Sequence, residues 1–149
     1  ICEMAAYYKT QGQTLVDVMN NIYSEFGYYC NTVKSYQFEG AAGMDKMEKI
    51  MNSLRENPPA ELAGMPVTYV GDYKTSVAKD IESGSKTKID LPKSNVLQYK
   101  MAGGNGLIVR PSGTEPKIKA YITAIGESRE NALELADKLI SDADNFMED

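Results

Sequence analysis

Between Lys117 and Ile125 the apolar residues Ile118, Ala120, Ile122 and Ala124 take every second position, with Lys119, Tyr121, Thr123 and Ile125 between them. Successive side chains of a strand point to opposite faces, so this spacing describes a strand with one wholly apolar face. A sheet built on it must be covered on that side. The chain supplies covers, because apolar residues recur at helical spacing on both sides of its strand-like centre. Thr14 is placed to cap a helix running to about Phe26, with Leu15, Val16, Met19, Ile22, Tyr23 and Phe26 as its stripe and Gly27 as its stop. A shorter stripe, Ile1, Met4, Ala5 and Tyr8, precedes it. Met44, Met47, Ile50, Met51 and Leu54 share the face of a helix that Asp45 or a neighbour opens and Asn57-Pro58-Pro59 ends. Ser128 caps a closing helix in which Ala132, Leu133, Leu135, Ala136, Leu139, Ile140 and Ala143 face inward. All these stripes read as core packing.

The remaining strands follow from β-prone runs and turn residues. Tyr28 to Phe38 reads as a strand or extended crossover, and its aromatic residues as packing groups. Gly40 to Gly43 reads as a small-residue hinge, and Val67 to Val70 as a short strand. Ser83-Gly84-Ser85 and Gly103-Gly104-Asn105 mark two hairpins. Asn145 to Asp149 reads as a frayed acidic tail. The sum is an α+β fold, an antiparallel sheet flanked by helices.

Composition then narrows the chemistry. The absence of histidine removes Ser-His-Asp triads, Cys-His dyads and most zinc sites. A net charge of −5 opposes a nucleic-acid or anionic-membrane surface but leaves room for a local anion site. No apolar run approaches the ~18 to 20 residues of a membrane span, and no secretory signal opens the chain. Cys2 and Cys30 stand at no metal-ligand spacing, which fits a reducing, cytoplasmic setting. Gly104-Asn105-Gly106 lacks the third glycine and following helix of a dinucleotide loop. A chain that starts inside an amphipathic pattern reads as a piece of something longer.

One stretch carries chemistry. In Arg110-Pro111-Ser112-Gly113-Thr114-Glu115-Pro116-Lys117-Ile118-Lys119 three different donors surround one glycine, two prolines bracket the turn, and strands enter and leave it. Backbone N–H groups held to one side, with hydroxyls and a guanidinium at the rim, form a receptor for a phosphate dianion. The alternative is an ordinary turn whose Ser and Thr satisfy their own backbone.

Extended through Ala120 and Tyr121, this stretch resembles the phosphate-binding signature of the α-D-phosphohexomutase superfamily, whose members include phosphoglucomutases and phosphomannomutases. The resemblance implies four domains in the whole enzyme, the last similar to the TATA-box-binding-protein fold. On that basis residues 40–149 are expected to be the C-terminal phosphate-binding domain. Residues 1–27 correspond to the closing helices of the third domain, and 28–39 to a connector. The implied reaction interconverts hexose 1-phosphate and hexose 6-phosphate through a phosphoserine enzyme and a hexose 1,6-bisphosphate, assisted by Mg2+. The serine loop, the metal loop and the sugar-selecting loop are not in this sequence. No catalytic or metal residue is therefore expected here, and the fragment should be inactive alone. What carries over is the grip on the substrate phosphate: Arg110 by its guanidinium, Ser112 and Thr114 by hydroxyls, Gly113 and Thr114 by backbone N–H, and Lys119 as a further cation. Glu115 would repel a phosphate and is expected to turn away toward Lys117 or Lys119. The implied partners are a glucose or mannose phosphate and the missing N-terminal domains, with neither nucleic acid nor membrane. The two leading helices are expected to fold back on the sheet or to pair with a second copy. A non-enzymatic module using a TATA-binding-like sheet is the competing reading.

Overall fold

The structure is a computed structural model describing residues 1–40 and 42–148. The elements run α1 (Cys2–Thr10), α2 (Leu15–Phe26), β1 (Tyr28–Gln37), α3 (Ala42–Glu56), β2 (Glu61–Leu62), β3 (Met65–Asp72), β4 (Val77–Asp80), β5 (Lys86–Lys88), β6 (Leu97–Met101), β7 (Gly106–Pro111), β8 (Lys117–Gly126) and α4 (Arg129–Glu148). The strands form one antiparallel sheet in the order β1-β8-β7-β6-β3-β4-β5, with β2 attached to β3. The α+β layering expected from the apolar periods is thus observed.

The alternation in β8 is expressed fully: Ile118, Ala120, Ile122 and Ala124 are at most 1% exposed. They meet Leu97, Tyr99, Leu107 and Val109 of the sheet and Met47, Ile50, Met51 and Leu54 of α3, with Ala136, Leu139 and Ala143 of α4. Burying a large aliphatic side chain contributes about 1.5 to 3 kcal/mol, so this layer holds the sheet to its helices. Two polar groups inside are satisfied. The Tyr99 hydroxyl donates to the Leu54 carbonyl at 3.0 Å, near the end of α3. Asn105 accepts from the Ile125 N–H at 2.8 Å and donates to the Ala102 carbonyl at 2.9 Å, which fixes the β6–β7 turn against β8.

Several expectations are corrected. Met44 and Leu133 are exposed, at 43% and 47%. Met44 lies in the first turn of α3, beyond the covered face, and Leu133 turns toward α2 instead of the sheet. Gly43 is a packing position and not a hinge residue: it is buried in α3, and a Cβ there would lie 2.9 Å from the Phe38 carbonyl oxygen. Ala41 of that expected hinge lies outside the described residues. The acidic tail is not frayed through Glu148, because Met147 continues the Leu139 and Ala143 stripe into the core; Asp149 lies outside the described residues. Residues 28 to 39 contain a complete edge strand, paired with β8 from Tyr28↔Gly126 to Gln37↔Lys117.

The largest departure concerns the leading helices. Thr14 and Asp17 form a full capping box and Gly27, at φ 91, stops α2, as the sequence requires. Yet neither α1 nor α2 has a buried residue, and Val16 and Phe26 are 68% and 62% exposed. The stripe is therefore not core packing among the described residues. Helix α2 meets the sheet at β1, where Tyr23 stacks on Tyr28 at 5.2 Å, with a groove against β1 and the start of α4.

An ionic tie joins β1 to α4. The Lys34 ammonium and the Tyr36 hydroxyl both meet the Asp144 carboxylate, each at 2.7 Å. The hydrogen bond from Lys34, then that from Tyr36, lowers the Asp144 pKa from its ordinary value. A depressed carboxylate stabilises the fold above its unfolded pKa, near about 4, and loses that contribution as pH falls through the folded value. Asp144→Asn is thus expected to flatten part of the acid limb of a stability-versus-pH curve. The site is solvent-screened, so the loss at neutral pH should stay within about 1 kcal/mol. Equal acid slopes for both proteins would remove this role.

Candidate functional site

Strand β7 ends at Pro111 and β8 begins at Lys117, so residues 112–116 form the turn between two central strands. The Ser112 N–H donates to the Lys117 carbonyl at 2.8 Å, closing the turn, and the Pro116 carbonyl accepts from the Phe38 N–H at 2.8 Å, tying it to the chain beyond β1. The Ser112 Oγ accepts from the Thr114 N–H at 3.4 Å and the Glu115 N–H at 3.3 Å. This is the self-satisfied serine turn named above as the alternative. It also shows that two N–H groups converge on one oxygen, over long bonds that a charged oxygen would improve. A hydroxyl that accepts twice keeps its own proton to donate. Glu115 pairs with Lys117, and that hydrogen bond, with the Lys117 charge, lowers its pKa.

The cations gather at the mouth of the turn. Arg110 and Lys119 are direct partners across the β7–β8 ladder, and Ser35 of β1 faces Lys119 from the other side. Direct partners in an antiparallel pair project to the same face, here the one opposite the core residues Val109, Ile118 and Ala120. Neither cation is in an ion pair among the described residues. Two like charges facing each other across a ladder repel, and a dianion between them would remove the repulsion. Gly113 is exposed, and a Cβ built on it would meet nothing within 4 Å. Neither its φ nor its packing demands glycine, and its backbone is open to approach.

The turn also forms one wall of a cleft of about 440 Å³. Arg110, Pro111, Ser112 and Gly113 line one side, Met44, Asp45 and Glu48 of α3 another, and Ser94, Asn95 and Val96 a third. Of the sequence-derived residues, the structure brings Arg110, Ser112 and Gly113 to the cleft, Thr114 to the exposed tip of the turn and Lys119 beside Arg110. Sequence reading missed Ser94, Asn95, Asp45 and Glu48. Only the pairing of β6 with β7 and the packing of α3 on the sheet bring them near the turn, and none carries a local motif. The two carboxylates oppose an anion on the α3 side, which favours the turn as the place for a phosphate.

No group of three or more His, Cys, Asp or Glu among the described residues is arranged to hold a metal. No helix of the described residues is long and apolar enough to cross a membrane.

No protein-family model matches the chain. Among curated proteins, a phosphoglucomutase from Staphylococcus aureus is 40% identical over 123 residues, covering 83% of this chain and 22% of the relative. The phosphoglucomutase of another strain of that species is 38% identical over the same length and shares. Among solved structures, pp63/parafusin from Paramecium, described as a phosphoglucomutase in its open form, superposes over 97% of this chain and 25% of its own with a TM-score of 0.59. At 15% identity that likeness speaks for the fold alone. The chain spans about a fifth of the length of the curated relatives it matches, within their C-terminal part. A sheet with this layering, a turn with these residues and this similarity together place the chain in the phosphohexomutase family, as a stretch corresponding to the C-terminal part of a phosphoglucomutase.

Proposed function

We propose that the β7–β8 turn is the clamp for a substrate phosphate in an enzyme that interconverts hexose 1-phosphate and hexose 6-phosphate. The observation that carries this reading is the facing pair Arg110 and Lys119, in no ion pair among the described residues, beside N–H groups that converge on a single oxygen. In this reading Arg110 gives a forked pair of donors, Ser112 and Thr114 give hydroxyls, Gly113 and Thr114 give N–H groups, and Lys119 adds its field. The clamp holds the phosphate that is not being transferred, and so spends remote binding energy on orientation at the reacting end. Bond-making, through a phosphoserine, a bisphosphate and a bound Mg2+, belongs to parts of the whole enzyme outside this chain. We infer that the isolated chain is inactive, and that the whole enzyme works in the cytoplasm on glucose or mannose phosphate. The exposed α2 stripe is the surface against which the preceding domain, or failing that a second copy, would rest. The domain division proposed remains 1–27, 28–39 and 40–149, with the 28–39 segment contributing its strand to the last sheet.

An amide NMR titration with inorganic phosphate and with glucose 1-phosphate tests the clamp. Arg110, Gly113 and Thr114 signals should shift; shifts confined to distant residues would sink the reading. Gly113→Ala should leave thermal stability within about 0.5 kcal/mol, since its Cβ enters open space. It should nonetheless weaken the phosphate response severalfold, by holding the ligand away from the backbone. A competing nucleic-acid role for the sheet would show as tight, salt-sensitive binding of duplex or single strands, which the net charge of −5 opposes.

A further inference from the structure

One side of the cleft, that of Asn95, is tied to α3 by a side chain the phosphate reading does not use. Arg55, near the end of α3, bonds to Asp72 Oδ2 through Nε at 3.1 Å and to the Met51 carbonyl and Asn52 Oδ1 through Nη1 at 3.2 and 3.1 Å. Its Nη2 reaches across the sheet end to Asn95 Oδ1 at 2.8 Å. Asp72 is itself locked, accepting from the Lys74 N–H at 3.0 Å and the Thr75 hydroxyl at 2.8 Å. Arg55 and Asp72 are only 17% and 13% exposed, so their ion pair is shielded, while Asn95 stands exposed at the cleft.

Arginine can only donate, so the atom of Asn95 that meets it must be the carbonyl oxygen. The amide is thereby fixed in one orientation, and its Nδ2 donors have no partner among the described residues. Asn95 lines the same cleft as Arg110, Ser112 and Gly113. We propose that Asn95 is a further ligand-binding residue, donating from Nδ2 to an oxygen of the phosphosugar held by the turn, and that Arg55 is the positioning residue that aims it. The inference rests on the phosphate-clamp reading of Arg110 to Thr114. It gives the cleft a neutral donor beside the turn, where Asp45 and Glu48 of α3 supply only acceptors.

The test is a titration of the 149-residue chain with inorganic phosphate and glucose 1-phosphate, following backbone amides and the Asn95 side-chain NH2 pair. In the parent protein the Asn95 pair should shift together with Gly113 and Thr114. Asn95→Ala should weaken glucose 1-phosphate binding three- to tenfold. Asn95→Asp keeps an acceptor for Arg55 and so should hold or raise the melting temperature, yet weaken binding at least tenfold. Arg55→Lys cannot span the same set of acceptors, and should lower affinity about as much as Asn95→Ala. The double variant Arg55→Lys/Asn95→Ala should be no worse than either single within twofold, because one acts through the other. If Arg55→Lys fails to fold, the two Asn95 variants still decide, since both leave the Arg55–Asp72 pair in place.

Three results would overturn the proposal. One is a still Asn95 pair and parent-like affinity in Asn95→Ala while the turn responds, which leaves the clamp standing. Another is loss of affinity in Arg55→Lys alone, which makes Arg55 structural only. The last is no response from either wall to either ligand, in which case clamp and inference fall together.

Discussion

Arg110→Ala is expected to reduce binding of phosphate and of glucose 1-phosphate ten- to a hundredfold while leaving the fold at least as stable as before. The affinity loss follows from the guanidinium. A charge-assisted hydrogen bond contributes about 1.5 to 3 kcal/mol, and about 1.4 kcal/mol is a tenfold change. The unchanged stability follows from the surroundings. Arg110 is exposed, makes no ion pair among the described residues and faces Lys119 directly across the ladder, so truncating it removes a repulsion and no packing. Arg110→Lys separates charge from shape: it keeps the field but not the planar fork, and should fall between parent and alanine. The check is a ligand titration beside a thermal melt. A parent-like affinity in Arg110→Ala would end the clamp reading. A large drop in melting temperature would mean that Arg110 has a structural duty its contacts do not show.

How much of this was legible beforehand depends on the range of the interactions. The strand period at Ile118 to Ala124 and the helix signals at Thr14, Ser128 and Asn57-Pro58-Pro59 are local, and each produced the element it described. The turn was legible for the same reason, since all its donors lie within ten residues. The cleft was not. Asn95 and Glu48 reach it only through the strand order β7-β6-β3 and the seat of α3 on that sheet, which no window of sequence reports. The α2 stripe failed differently. Its period is real and its helix forms, but periodicity says that a face is apolar, not that this chain supplies the cover. Met44 and Leu133 fell to the same ambiguity at smaller scale, Met44 in the first turn of α3 and Leu133 one step off the buried stripe of α4.

Gly126→Ala is expected to be the most damaging single methyl in the chain. Gly126 closes β8 opposite Tyr28 and lies against the first turn of α4. A Cβ there would stand 2.5 Å from the Ala132 backbone nitrogen, 2.7 Å from Asn131 Oδ1 and 3.0 Å from the Ala132 Cα. Two of the three are backbone atoms, so no rotamer change relieves the clash; the helix start must move. That start is held by its cap: the Asn131 N–H donates to Ser128 Oγ at 3.1 Å, and the Ala132 N–H donates to the Ser128 carbonyl at 3.0 Å. Overpacking costs about 1 to 3 kcal/mol and a lost cap about 1 kcal/mol more. The sum, about 2 to 4 kcal/mol, corresponds to a fall in melting temperature of about 6 to 13 °C for a chain of this size. Because the clash lies at the end of β8 remote from the turn, the folded fraction should still bind phosphate as the parent does. Gly113→Ala is the mirror case, with open space around its Cβ, stability kept and binding weakened. A melting temperature for Gly126→Ala within a few degrees of the parent would show that α4 shifts freely on the sheet. In that case α4 could not be the element that holds β8, and with it Lys119, in register.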